Sequence, residues 1–168
     1  WIFIYNTKLI NINNMLFKIP RESLIKHLQL VRGVVERRQT LPILSNVLLT
    51  VGPDLLTMIA TDLEVEMLTN TPLTDAKPGE ITIPARKFMD ICRTLPDDAV
   101  LEVAVDGESA IIRSGKSRFV LSTLPAAEFP KVEASKNAQT LSIPNVSLKN
   151  SIDRTQFSMA HQDVRYYP

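Results

Sequence analysis

The sequence predicts an α+β fold made of duplicated strand–helix–three-strand (βαβββ) units, with two helices packed on antiparallel sheets. Three observations carry that prediction. One eight-residue pattern recurs at near-constant spacing, as "FKIPRESL" from Phe17, "ITIPARKF" from Ile81 and "LSIPNVSL" from Leu141. Each copy runs from apolar–polar alternation into proline and then into helical spacing, which reads as strand, sharp switch, helix. The text between the copies is strand-like and broken by turn residues.

Taken in order, residues 1–14, "WIFIYNTKLININN", lack an initiating Met, a basic n-region and a small-residue cleavage site. They do not read as a signal peptide and are expected to be an upstream or non-native extension, with Met15 as the natural start. The first alternating stretch ends at Pro20, whose ring suits the first helical position and holds the residue before it extended. The helix that follows places Leu24, Leu28, Val31 and Val35 on one stripe, with Lys26 and Arg37 opposite. "ILSNVLLTV", "LLTMIAT" and "LEVEMLTNT" then read as strands, with a turn at "GPD". The second copy repeats the plan. After Pro84, the residues Phe88, Ile91, Cys92 and Leu95 face inward, Arg86 and Arg93 outward, and only Asp90 interrupts that outer face. "VLEVAVD", "SAIIRS" and "SRFVLSTL" follow as strands, with a turn at "DGE".

Each helix is expected to pack on its own sheet. "PAAEFPKVEASKNAQ" reads as a linker, and a third unit opens near Thr140, with Leu148 and Ile152 inward and Asn150 and Arg154 outward. The expected division is an extension at 1–14, a first domain at 15–130, a linker at 131–139 and the start of a second domain at 140–168.

The 168 residues are 45% hydrophobic, enough for one domain with a core and part of another. No run is long and apolar enough for a membrane helix, and the one cysteine fits a reducing cytoplasm, so the sequence predicts a soluble protein without a membrane partner. With 19 basic and 18 acidic residues, any attraction to nucleic acid needs the charge sorted onto one surface. A cationic outer helix face serves either solubility or phosphate attraction, and its recurrence in two units keeps both readings open.

Catalytic candidates are few. "TDLEVEM" puts Asp62, Glu64 and Glu66 on one face of a strand, a set that could hold a hard metal ion for a hydrolase. An exposed strand face is the simpler reading. His161 and Asp163 share a strand face without a recognisable nucleophile, and His27 reads as a packed or solvated helix residue. There is no Walker loop and no zinc-ligand spacing. No catalytic residue, metal or cofactor is expected.

The stretches "TLPILSNVLL", "TDLEVEM", "IPARKFMDICRTLP", "RSGKSRFVLSTLPAAEFP" and "QFSMAHQDVRYY" resemble the bacterial sliding clamp family, the beta subunit of DNA polymerase III, from Met15 to Tyr167 and in the family's order. The resemblance implies a DNA-clamp fold and a non-catalytic processivity factor in the bacterial cytoplasm. It also implies a two-subunit ring of three-domain subunits around double-stranded DNA, helices lining the hole, with the replicative polymerase and clamp loader as partners. Matched residue by residue, Arg38, Gln162, Tyr166 and Tyr167 are implied DNA contacts. Lys26, Arg86 and Arg93 join them on helix geometry alone. Phe119 and Leu121 match the subunit-interface edge, where Lys87, Lys116 and Arg118 add charge, and Arg165 matches the margin of a partner-peptide pocket. Because the family continues past "RYY", the chain is read as a fragment or truncated product that does not form the usual ring by itself. A monomeric DNA-binding or clamp-capping module is the alternative.

Overall fold

The computed structural model describes residues 15–35, 41–131 and 142–158. The chain divides into two compact units, residues 1–132 and 133–168.

In the first unit the two repeats follow one plan. The first comprises β1 (Leu16–Pro20), α1 (Arg21–Val31), β2 (Asn46–Val51), β3 (Leu55–Thr61) and β4 (Glu66–Pro72). The second comprises β5 (Gly79–Pro84), α2 (Ala85–Thr94), β6 (Val100–Asp106), β7 (Ser109–Ser114) and β8 (Ser117–Ser122). The repeated proline is the last strand residue and the helix N-cap, one position before the expected one. Pro20 (ψ 137°) and Pro84 (ψ 108°) keep strand-side backbone while the next residue turns helical. A missing N–H is harmless there, because strand pairing ends at these residues, Pro20 opposite Val100 and Pro84 opposite Asn46. Val35 and Leu95 lie just past their α-helices, so each apolar stripe is shorter than its periodicity suggested.

A strand exchange modifies the expectation that each helix packs on its own sheet: α1 does lie on β3 and β4 of its own repeat, but neither sheet is built from one repeat alone. The sheets run β1-β6-β7-β8 and β4-β3-β2-β5, so each repeat contributes its first strand to the other repeat's three. Two bridges, Leu16 to Lys77 and Thr82 to Leu124, join the sheets at equivalent places. Beside the second, Asn46 Nδ2 donates to Thr82 Oγ1 (2.9 Å), which donates to the Leu124 carbonyl (2.8 Å), so these buried polar groups are satisfied. Alternation shows that a strand has a buried face but not which of several similar strands it pairs with.

The exchange yields one core for both repeats. Phe17, Ile19, Leu24, Leu28 and Val31 share it with Ile81, Ile83, Phe88, Ile91 and Cys92, and with Val47, Leu49, Leu101 and Val103. A smaller cluster, Ile43, Leu44, Leu48 and Phe129, covers the other face of β2. Short 3-10 turns at Pro42–Ser45 and Ala126–Glu128 fold over that face. Hence the opening of the expected linker, up to buried Phe129, is part of the first unit. The β6–β7 and β7–β8 hairpins each use a two-residue loop that starts with glycine at positive φ, Gly107 (57°) and Gly115 (55°), the first central position of a type II′ turn.

The second unit holds α3 (Asn145–Thr155), capped by Pro144 as in the other copies. Residues 142–144 before it are not a strand. Leu148 and Ile152, expected to face inward, are exposed, since no described strand of this unit lies against them.

Candidate nucleic-acid interface

α1 and α2 lie against each other over the shared core, so their solvent faces belong to one side of the first unit. Arg21 clasps them. Its side chain is 14% exposed, and its Nε donates to the Cys92 carbonyl in the last turn of α2 (2.6 Å). Its Nη1 pairs with Asp97, and its backbone N–H donates to the Ala99 carbonyl (2.8 Å). A cation at the start of α1 opposes that helix's dipole, but at the end of α2 it fills an orphan carbonyl and meets the negative pole. Sequence reasoning passed over Arg21, and that misplaced charge was the available signal. On the other flank, His27 Nδ1 bonds Thr69 Oγ1 (2.6 Å) and Ser23 Oγ bonds Thr71 Oγ1 (3.0 Å), fixing α1 to β4.

The outer faces carry Lys26, Arg86, Lys87 and Arg93, all exposed, against the acidic Glu22 and Asp90. Lys26 pairs with Glu22 (2.8 Å) and Arg93 with Asp90 (3.6 Å). The Lys26 ammonium holds the Glu22 carboxyl below its ordinary range by hydrogen bond and charge. Such exposed pairs are weak and screened, so a row of phosphates can compete for their cations. Among the described residues no ion pair joins Arg86 or Lys87. The surface is thus a shallow, modestly cationic face, suited to sequence-blind attraction rather than a fitted site.

The proposed interface residues divide between the two sides of β8. Lys116 and Arg118 are exposed, while Phe119 is half-buried against the core and Leu121 is buried within it. Alternation points Leu121 at the helices and turns Val120 outward. Arg37, Arg38, His161, Gln162, Asp163, Arg165, Tyr166 and Tyr167 lie outside the described residues.

The three-carboxylate strand face does not form. β3 ends at Thr61 and β4 begins at Glu66, leaving Asp62 and Glu64 in the connecting loop. Asp62 Oδ1 accepts the backbone N–H groups of Glu64 (3.0 Å) and Val65 (2.7 Å), which turns the chain. Among the described residues no three acidic, histidine or cysteine side chains are grouped to hold a metal ion. Cys92 is buried, and that burial pushes its thiol up to about 12, far from a reactive thiolate.

Residues 15–133 match the family model for the DNA polymerase III beta subunit, N-terminal domain. Over 154 residues the chain is 55% identical to the beta sliding clamp of Pseudomonas aeruginosa and 50% identical to that of Escherichia coli K12. Each match covers 91% of this chain and 42% of the relative, so the chain spans less than half the length of these relatives. A solved sliding clamp from P. aeruginosa superposes with a TM-score of 0.86 at 54% identity, covering 92% of this chain and 42% of that one. The beta sliding clamp of Caulobacter crescentus gives 0.86 at 38% identity, covering 93% and 42%. With its duplicated strand-exchanged unit and this match, the chain belongs to the family of the DNA polymerase III beta subunit, N-terminal domain.

Proposed function

We propose that the chain serves as part of a DNA-replication processivity factor, a non-catalytic sliding clamp that encircles duplex DNA and tethers the replicative polymerase in the bacterial cytoplasm. The observation that carries this reading is the pair of adjacent helices clasped by Arg21, with Lys26, Arg86 and Arg93 on their solvent side. A ring holds DNA by topology, so its inner face needs only weak phosphate attraction, and a strongly basic groove would hinder sliding. Arg38, Gln162, Tyr166 and Tyr167 are proposed as further DNA contacts, with aromatic rings able to stack on exposed bases. Phe119, Leu121, Lys87, Lys116 and Arg118 are proposed to line the subunit edge, and Arg165 a partner-peptide pocket served by polymerase and clamp loader. The first domain is proposed to run from 15 to 130 and the second to begin near 140.

Loading a full-length version of this sequence on a nicked circle, then cutting the circle, tests the reading. A topological tether falls off the linear product; protein that stays bound after cutting refutes encirclement. The edge of β8, which no strand covers among the described residues, favours a second reading, a module that caps a clamp by occupying one open edge. Native mass of the chain mixed with an intact clamp separates the two, since capping requires a mixed species.

A further inference from the structure

Beyond β8 the chain leaves one sheet and crosses the outward face of the other. Leu124 is its last attachment by backbone: its N–H donates to Thr82 Oγ1 (3.2 Å), and its carbonyl accepts from the same hydroxyl (2.8 Å). Past Leu124, among the described residues, no backbone bond ties residues 125–131 to either sheet. The two bonds that remain lie within the segment, from Glu128 N–H to the Pro125 carbonyl and from Phe129 N–H to the Ala126 carbonyl (3.1 Å each).

Two side chains hold this segment down. Phe129, 4% exposed, packs with Ile43, Leu44 and Leu48 against the outward face of β2. Lys131 Nζ pairs with Glu80 Oε2 on β5 (3.8 Å), and Glu80 is braced by a hydrogen bond from Thr50 Oγ1 (3.1 Å). That ion pair faces solvent, so it is weak and screened by salt. No residue of the segment belongs to the larger core, so lifting it leaves the packing of both helices intact. Pro125 and Pro130 fix two of its backbone angles, which makes it stiff and lowers the entropy lost each time it reseats.

We propose that residues 125–131 form a releasable strap, with Leu124 as pivot, Phe129 as anchor and the Lys131–Glu80 pair as a salt-sensitive latch. Seated, the strap seals Leu44 and Leu48 from water. Released, it bares them and adds its own length to the connection toward the second unit, while the first unit stays folded. Local opening of this kind needs only the free energy of the anchor and latch, not that of the whole fold. The device is independent of the DNA reading, and a cutting assay that refutes encirclement leaves it untouched.

Thiol labelling of the full chain, mapped by mass, tests it. Leu48→Cys puts a reporter beneath the strap, and Leu49→Cys puts one on the inner face of the same strand with the same loss of volume. In buffer, Leu48→Cys is expected to label at least about tenfold faster than Leu49→Cys, at a rate that low urea does not change. Leu49→Cys and the native Cys92 are expected to label only through global unfolding. Within the Leu48→Cys chain, Phe129→Ala is expected to raise the rate about hundredfold, and added salt or Lys131→Glu a few-fold. Ile43→Cys replaces Leu48→Cys if that chain loses its cooperative melt. Equal rates at the two reporters, with equal urea dependence, overturn the proposal, since the segment then opens only with the fold. A rate at Leu48→Cys that ignores both Phe129→Ala and Lys131→Glu overturns it too, because the opening then belongs to the 3-10 turn at Pro42–Ser45.

Discussion

Gly79 opens β5 opposite Val51, where the exchanged strands of the two repeats come together. A Cβ built on it would stand 2.7 Å from Met15 Cβ and 2.9 Å from Met15 Cγ. Ordinary carbon–carbon contact begins near 3.5 Å, so Gly79→Ala lacks about 1 Å of room. Rotating Met15 does not help, since its Cβ is fixed by the backbone, and that backbone accepts a bond from Val105 N–H (3.1 Å). The end of β1 must therefore move away from β5. Overpacking of this kind costs about 1–3 kcal/mol, from which alanine's advantage over glycine in a strand returns about 0.5–1 kcal/mol. The net expectation is a loss of about 1–2 kcal/mol, or about 4–8 °C in Tm for a unit of this size. Urea unfolding of wild type and Gly79→Ala, read as a midpoint shift at constant m-value, measures it. The contact geometry adds a sharper test. Measured against each Met15 variant alone, which itself loses a buried side chain, the Gly79→Ala penalty should be rescued by Met15→Gly, which removes the offending Cβ, and not by Met15→Ala, which keeps that atom. A Gly79→Ala chain as stable as wild type, or rescue by Met15→Ala as complete as by Met15→Gly, refutes the reasoning.

Three further outcomes follow from local geometry. Arg21→Ala strips a charged donor from the α2 terminus and is expected to cost about 1–2 kcal/mol in urea unfolding, with Arg21→Lys recovering only part, because the flat guanidinium that reaches both Cys92 O and Asp97 is lost. Leu63 sits at φ 78°, where a side chain costs about 1–2 kcal/mol, so Leu63→Gly should not lower Tm, while Asp62→Ala, which removes the loop's acceptor, should lower stability by about 1 kcal/mol. Cys92 is an acid whose pKa burial raises from 9.0 to about 12, so the folded state keeps a proton that the unfolded chain gives up. Its contribution is full below pH 9 and fades as pH climbs toward 12. Cys92→Ala should accordingly flatten the fall in urea midpoint measured from pH 8 to pH 10.5, whatever it does to the midpoint itself.

Much of the element order was legible because each element is written locally. The repeated proline pattern marked both strand–helix junctions, and Phe88, Ile91 and Cys92 are buried as their spacing implied. The misreadings share one physical origin. "TDLEVEM" alternates like a strand, yet the Asp62 side chain competes for the backbone and bends it into a loop, an outcome that alternation cannot express. Phe119 and Leu121 were correctly placed on one face of a strand, but which face meets the core depended on where α2 packs. At the candidate interface, the outward position of Lys26, Arg86 and Arg93 followed from helical period alone. Arg21 did not, since its partners Cys92 and Asp97 are remote in the chain.

By itself the sequence determined that two βαβββ units lie in tandem, where each helix begins, and which helix residues are apolar or charged. Those properties depend on neighbours a few positions apart. Tertiary structure alone decided that β1 joins β6 and β5 joins β2, and that Arg21 clasps the two helices. Each strand had several chemically similar partners to choose from. The choice was made by filling one common core and satisfying the buried backbone of both sheets at once, a condition on the whole unit that no short window of residues contains.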